Sequence, residues 1–228
     1  MARGASDAAL LSLLGALFAR AWLAPGVLAI PGWDGASASR RLRLVVWASF
    51  IGAAAFSALW TALQTQDLAG SVRVLPEVLQ ETVFGHAVLL RAGLLVAVAG
   101  AAWVGWRWVA TGCAALAVAT LTAHTHAYAM QEGVSWLLGS DMVHLLAASA
   151  WLGGLIPLLL LVHAAPPGVA ARASVRFSSL GTGCVLVLAC TAFYQARILV
   201  GSIPALVGTT YGVVVLFKLC CFSGLLGF

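Results

Sequence analysis

Long apolar runs recur along the chain and are separated by short connections that contain polar, proline and glycine residues. We predict membrane-spanning helices from seven of these runs, at about 8–30, 44–63, 85–104, 109–123, 137–162, 177–196 and 211–228. A helix needs roughly 20 apolar residues to cross a bilayer, and connections such as Pro166-Pro167-Gly168 carry residues that end helices. The predicted fold is an all-α, polytopic transmembrane helix bundle that forms one integral membrane domain over residues 1–228.

The first and last runs are less regular than the others. Arg20 and Pro25 interrupt the first run, but no small-residue cleavage site precedes a soluble domain, so we interpret it as a span and not as a signal peptide. The last run stops at Phe228 after about 18 residues, which is the minimum length for a crossing.

The composition agrees with a membrane protein. Hydrophobic residues make up 62% of the chain and charged residues 8%, whereas soluble domains carry about 25% charged residues. The formal charge of +5 does not indicate a nucleic-acid partner, because the arginines stand singly or in short clusters beside the apolar runs. The lipid bilayer is the partner that the composition predicts.

Arginines mark one side of the predicted bundle. They precede the second span, lie between the third and fourth spans, and lie between the fifth and sixth spans, at Arg40, Arg41, Arg43, Arg107, Arg172 and Arg176. These three connections fall on the same side, which the positive-inside rule assigns to the cytoplasm. We therefore predict a periplasmic N-terminus.

The ionisable residues inside the spans lie mostly toward the predicted outer side. They are His86, Arg91, His124, His126, Asp141, His144 and Lys218. Each ionisable group placed in lipid costs on the order of 3 kcal/mol, so such residues normally face the bundle interior and one another. The pattern predicts one polar site that opens to the periplasm.

Helical spacing groups some of these residues. Asp141, His144 and Trp151 are related by three and seven residues and share a helix face. The Asp141 carboxylate is placed to orient the His144 imidazole, as is common around metal-binding histidines. Tyr211 and Lys218 form a second stripe, from which Lys218 can neutralise Asp141 or hold an anionic group. Arg91 and Glu132 are further candidates for supporting or charge-pairing roles, Arg91 toward Asp141 or backbone carbonyls.

The His124-Thr125-His126 segment has a spacing that suits metal ligands only at a helix end. On a continuous helix the two imidazoles would diverge by about 200°, and Glu132 suggests that the helix ends before it. Met130 adds a thioether, and imidazole with thioether is a ligand mixture that suits copper. We predict a copper site with His126 and His144 as ligands and with auxiliary ligands at His86, His124 and Met130.

The cysteines do not form a recognisable metal or disulfide pattern. All five lie in apolar runs without a CxxC pair, so packing is the ordinary interpretation. If copper passes inward, Cys190, Cys113 and Cys184 are candidates for weak sites along the pathway, since conduction requires ligands that also release the ion.

Two other interpretations remain open. Histidines on neighbouring helices can supply both axial ligands of a b-type haem, with Arg91 or Lys218 holding its propionates, in a membrane electron-transfer protein. A non-catalytic partner subunit would bind neither metal nor haem. Motifs for ATP binding or hydrolysis are absent from the sequence. We therefore predict a transport or metal-binding protein and not an enzyme, with an oxidoreductase as the alternative.

The segment from Asp141 to Leu155, DMVHLLAASAWLGGL, resembles the hallmark segment of the copper resistance protein D (CopD) family. Three further segments are similar to the family pattern in the same order: Gln80–Gly85 followed by Arg91, Thr122–Gly133, and Thr209–Gly212 followed by Lys218.

This resemblance runs from about Leu44 to the end of the chain. It implies a bacterial inner-membrane protein that takes up or delivers copper, beside a periplasmic copper-binding partner. Family members usually have eight spans, so the resemblance also implies that a last span is missing here.

Overall fold

The computed structural model describes residues 2–28, 30, 33–124, 134–200 and 203–226, and every regular element within them is helical. The α-helices are α1 (Ala2–Phe18), α2 (Ala24–Leu28), α3 (Ala36–Ala69), α4 (Leu75–Glu81), α5 (Val83–Val104), α6 (Arg107–Ala119), α7 (Val134–Ala164), α8 (Pro167–Leu199), α9 (Ile203–Gly208) and α10 (Thr210–Leu226). A π-helical turn, Ala19–Leu23, joins α1 to α2, and 3-10 turns occupy Val72–Val74 and Thr120–His124. The predicted all-α fold is confirmed.

Five of the described helical stretches are long and apolar enough to cross a membrane. They are Ala2–Leu28, Ala36–Asp67, Val83–Val104, Ser135–Ala164 and Pro167–Leu199. Two shorter apolar helices, Arg107–Thr122 and Gly212–Gly224, lie in the fourth and seventh predicted runs. Both the length and the apolar composition of these helices indicate a helical membrane protein.

The N-terminal stretch forms the centre of the bundle. It packs against α3, α6 and α7. Of its most apolar 18 residues, 61% are buried inside the protein, against 22% for the stretch that contains α3. Leu10, Leu13 and Leu17 are almost fully buried in the main hydrophobic cluster. The first apolar run, which has a less regular sequence, thus lies among three other helices of the bundle.

Small residues allow α1 and α7 to touch along their backbones. A Cβ atom added at Gly15 would overlap the backbone of Gly153, and one added at Gly153 would overlap the carbonyl of Leu11. Close backbone approach at glycines is a common way to pack helices in membranes, where the hydrophobic effect does not hold them together. This contact fixes α7 against the central helix.

The π-helical turn explains how the first span accommodates Pro25. Proline lacks an N–H group and its ring collides with the carbonyl four residues before it in a regular α-helix. Here the N–H of Ala24, just before the proline, donates to the carbonyl of Ala19 across the wider turn. The helix therefore continues to Leu28 despite Arg20 and Pro25.

Candidate metal site

His144 lies at the interface of α7 and α8 and is held by a threonine. Its Nδ1 atom is 2.8 Å from the hydroxyl oxygen of Thr191 in α8. The Thr191 hydroxyl in turn donates to the carbonyl oxygen of Val187 at 2.7 Å, the usual bond of a helical threonine to the preceding turn. The imidazole and the hydroxyl therefore form a short chain that ends on the α8 backbone.

This chain favours one tautomer of the imidazole. A threonine hydroxyl has one hydrogen, and we infer that Thr191 donates it to the α8 backbone, since the hydroxyl oxygen lies 2.7 Å from the carbonyl oxygen of Val187 and 3.2 Å from that of Leu188. The hydroxyl oxygen must then accept from the His144 Nδ1–H group. The neutral imidazole consequently keeps an unprotonated Nε2 with its lone pair available, which is the state in which a histidine binds a metal.

Two charged residues of the predicted site lie within electrostatic range of His144. They are Asp141, one turn earlier in α7, and Lys218 in α10. Asp141 has a buried Oδ2 atom, whereas the Lys218 side chain is exposed. We call His144, Asp141, Thr191 and Lys218 the His144 site. The site thus combines one imidazole with one acidic and one basic side chain.

Toward the opposite end of the bundle the same interface becomes apolar. Trp151 packs edge-on against Phe222 of α10, with 5.9 Å between the ring centroids. A small cluster that contains Ala148 and Cys184 lies beside it. Cys184 is seven residues before Thr191 on the same face of α8, or about 10 Å along the helix. The His144 site is thus followed by an apolar region with one buried thiol.

The charged and imidazole side chains can be compared by their distance from the start of their helices. His144 is ten residues after the start of α7 at Val134, or about 15 Å along the helix axis. Lys218 is eight residues after the start of α10 at Thr210, or about 12 Å. Arg91 is likewise eight residues after the start of α5 at Val83. The three residues therefore lie at similar distances from the starts of their helices, although they do not share a neighbourhood.

Arg91 belongs to a second polar cluster around α1. It is 1% exposed, and its Nε atom donates to the hydroxyl of Thr120 at 2.9 Å. Its guanidinium group lies 5.9 Å from the Trp60 ring centroid and within electrostatic range of Asp7. Arg91 is therefore placed toward α1, α3 and the end of α6, and these contacts do not include the His144 site.

The Arg91–Thr120 contact lies where α6 changes its geometry. The α-helix ends at Ala119 and continues as a 3-10 turn over Thr120–His124. Arg91 also donates through Nη2 to the Thr120 carbonyl at 3.4 Å, which satisfies a backbone acceptor released at the helix end. The α-helical geometry of α6 thus ends at Ala119, five residues before His124.

The remaining histidines within the described part of the chain have local partners. His86 is exposed, and its Nε2 is 2.8 Å from the Gln80 carbonyl, to which it can only donate. His163 is exposed near the other end of α7 and donates through Nδ1 to the Leu159 carbonyl at 3.0 Å. Neither imidazole is placed beside His144. The other cysteines predicted for a pathway are half-buried Cys113 and exposed Cys190.

Several predicted ligands and supporting residues of the site lie outside the described residues. They are His126, Met130 and Glu132, together with the side chains of His124 and Tyr211. Within the described residues, no group of three or more histidine, cysteine, aspartate or glutamate side chains is placed to hold a metal ion. The His144 site by itself therefore offers an imidazole and a nearby carboxylate.

Thr191 is the functional residue that the sequence pattern does not reveal. It is one threonine among apolar residues of the sixth run, and helical threonines commonly bond to their own backbone. A usable signal is its spacing of seven from Cys184 and four from Gln195, which donates to Ser140 of α7 at 3.4 Å. This spacing marks the face of α8 that meets α7.

Comparison with protein families gives two matches. A family model described as "Copper resistance protein D-like, N-terminal domain" matches residues 1–137, and a model described as "Copper resistance protein D" matches residues 171–228. The first match alone covers more than half of the chain, and it begins well before Leu44. No curated protein and no solved structure matches the chain.

Proposed function

We propose, on the premise that this chain belongs to the copper resistance protein D family, that it binds copper through His144 and passes it across the bacterial inner membrane. Membership of the family makes the chain a copper-handling membrane protein. The observation that carries the finer proposal is the bond from His144 to Thr191, because it leaves Nε2 of a half-buried imidazole unprotonated. Placing an ionisable imidazole inside a bundle costs free energy, and an imidazole with an unprotonated Nε2 can act as a metal ligand.

Copper fits the donor atoms that this site can assemble. Neutral imidazole nitrogen binds copper well, and thioether sulfur favours Cu(I). We propose that His126 and Met130, from the segment after the Thr120–His124 turn, complete the ligand set with His144, and that His86 and His124 act at most as entry ligands. Asp141 offsets the positive charge of Lys218, so that a cation can approach His144.

The arginine distribution supports the proposed orientation. Arginines occur at the N-terminal ends of α3, α6 and α8, and these ends lie on one side of the bundle. The positive-inside rule places that side in the cytoplasm, so the His144 site would open toward the periplasm. A periplasmic copper-binding protein is then the partner from which this site would receive the ion.

Cys184 is the candidate for the next site inward. It is buried at the interface of α7 and α8 on the α8 face that also carries Thr191. A thiolate is a soft ligand that favours Cu(I), and a single sulfur binds weakly enough to release the ion. Cys190 is exposed and Cys113 lies in α6, so we give neither the same role.

The b-type haem alternative is less well supported by the described residues. A haem with two histidine ligands needs imidazoles on opposite sides of one cavity. His86 is bonded to Gln80 and His163 lies near the other end of α7, so neither can oppose His144. Arg91 is bonded to Thr120 and faces the cluster around α1, away from a position where it would hold propionates at His144.

Cu(I) competition with a chromophoric chelator on the purified, full-length chain tests the binding proposal. We expect His144→Ala to weaken Cu(I) binding by at least tenfold, on the scale of losing one ligand or its support. His163→Ala is the matched control, because it removes an exposed imidazole of the same helix. Equal affinities in wild type, His144→Ala and His163→Ala would remove His144 as a ligand.

Uptake of Cu(I) into proteoliposomes tests the transport proposal separately. We expect Cys184→Ser to slow uptake while leaving the Cu(I) affinity of the His144 site unchanged. Cys190→Ser is the control on the same helix. Uptake that is the same in both variants and in wild type would leave a binding protein without the proposed inward route.

A further inference from the structure

Three arginines from separate elements lie toward the end of the bundle opposite the His144 site. Arg20 lies in the π-helical turn, Arg43 in the second turn of α3, and Arg107 at the start of α6. Arg20 is half-buried, whereas Arg43 and Arg107 are exposed. A half-buried arginine in a span is unusual enough to require an explanation.

Packing of their neighbours brings the three side chains together. Ala19, the neighbour of Arg20, and Leu23, three residues after it, share a hydrophobic cluster with Leu42, the neighbour of Arg43. On the other side, Phe18 packs edge-on against Trp108, the neighbour of Arg107, with 6.4 Å between the ring centroids. Arg43 and Arg107 accordingly lie within electrostatic range of Arg20.

This cluster has no internal counter-charge among the described residues. No ion pair there joins any of the three arginines to a carboxylate. Asp34, the acidic residue nearest to Arg43 along the chain, is exposed and accepts a hydrogen bond from the backbone N–H of Ala36 at 3.0 Å. Like charges gathered at a partly desolvated position are unfavourable unless an anion from outside the chain neutralises them.

We propose that Arg20, Arg43 and Arg107 form a binding site for the phosphate group of an anionic phospholipid. Guanidinium groups bind phosphate oxygens through paired N–H donors, and basic pockets between helices at the cytoplasmic side of membrane proteins take anionic headgroups. An exposed aromatic ring lies beside the site: Trp108 packs edge-on against Phe18, whereas half-buried Trp22, on which Phe18 stacks, is covered by the Arg176 guanidinium at 4.4 Å. This exposed ring can contact the glycerol and upper acyl region of a lipid, whereas inorganic phosphate has no apolar part for it to contact.

Native mass spectrometry of the full chain, released from micelles containing phosphatidylglycerol or phosphatidylcholine, tests the site. We expect wild type to retain phosphatidylglycerol in preference, and Arg20→Gln to lower that retention on the order of fivefold, as for one arginine near an anionic surface. Arg172→Gln removes an exposed arginine from the same end of the bundle and should change nothing. Equal retention in wild type, Arg20→Gln and Arg172→Gln would overturn the proposal.

Two further measurements keep the test decisive. If Arg20→Gln does not fold, Arg43→Gln and Arg107→Gln, which change exposed side chains, should each give the same direction of effect. Thermal unfolding in phosphatidylcholine with added inorganic phosphate separates the two sources of phosphate. Stabilisation by inorganic phosphate equal to that by phosphatidylglycerol would assign the site to the free ion and refute the lipid.

Discussion

Replacing Thr191 by valine isolates the bond that prepares His144. Valine keeps the shape of threonine and exchanges the hydroxyl for a methyl group, so the packing of α7 on α8 is retained. The Nδ1–H group of His144 loses its acceptor 2.8 Å away. The imidazole is then free to rotate and to carry its proton on Nε2, the nitrogen that we propose as the copper ligand.

The size of the effect follows from two known scales. A neutral hydrogen bond contributes about 0.5–1.5 kcal/mol to stability, so the fold should lose no more than that amount. Partners that orient a metal-binding histidine typically contribute a factor of about 10–100 in metal affinity. Thr191→Val should therefore weaken Cu(I) binding by about 10–100-fold, while the unfolding temperature falls only slightly.

Cu(I) competition titrations and thermal unfolding of the same samples measure the two quantities. Thr182→Val is the matched control, because the Thr182 hydroxyl also donates to a carbonyl one turn earlier in α8, that of Ser178 at 3.0 Å, yet it is exposed. Thr191→Ser should restore binding, since it returns the hydroxyl. A Thr191→Val protein that binds Cu(I) as tightly as the Thr182→Val control would refute the tautomer argument.

Three further predictions concern other parts of the bundle. Lys218→Gln should strengthen Cu(I) binding by roughly tenfold, because removing one positive charge on the order of 10 Å away at an effective dielectric constant of about 20 is worth at most ~1.7 kcal/mol, and exposure of the Lys218 side chain lowers that value; unchanged or weaker binding in the same titration would contradict this. Gly153→Ala should lower the free energy of unfolding by about 1–3 kcal/mol through overpacking against α1, whereas Gly93→Ala, where a Cβ meets nothing within 4 Å, should not; equal unfolding temperatures would argue against the backbone contact. Arg91→Lys keeps the charge but loses the paired bonds to Thr120, and thermal unfolding should show a loss of roughly 1.5–3 kcal/mol; a stability equal to wild type would show that the pairing is dispensable.

The apolar runs were sufficient to predict the fold class because a bilayer imposes one simple requirement on every span. They also indicated the depth of the ionisable residues, since residues are counted from a helix end. Depth does not indicate direction around the bundle, however. His144 and Arg91 lie at similar distances from the starts of their helices, yet His144 contacts α8 and Arg91 contacts Thr120 at the end of α6.

The sequence predicted that the first run is a span, but it did not predict that this span forms the centre of the bundle. Arg20 and Pro25 make the first run look marginal, and only the wider hydrogen-bonded turn at Ala19–Leu23 shows how the helix tolerates them. The pairing of His144 with Thr191 was also out of reach, because spacing identifies a helix face but not the residue opposite it. The resemblance likewise began at about Leu44, while the family match begins at residue 1.

The backbone contact between Gly15 and Gly153 also decides which helix can move when an ion enters. Sliding or tilting α7 would force its backbone into that of α1, so we expect the helix that carries His144 to stay in place. By contrast, α10 packs mainly against α9 among the described elements and meets α7 through the Trp151–Phe222 contact. Opening and closing of the site is therefore expected to be a swing of α10, with Lys218 travelling toward or away from a stationary imidazole.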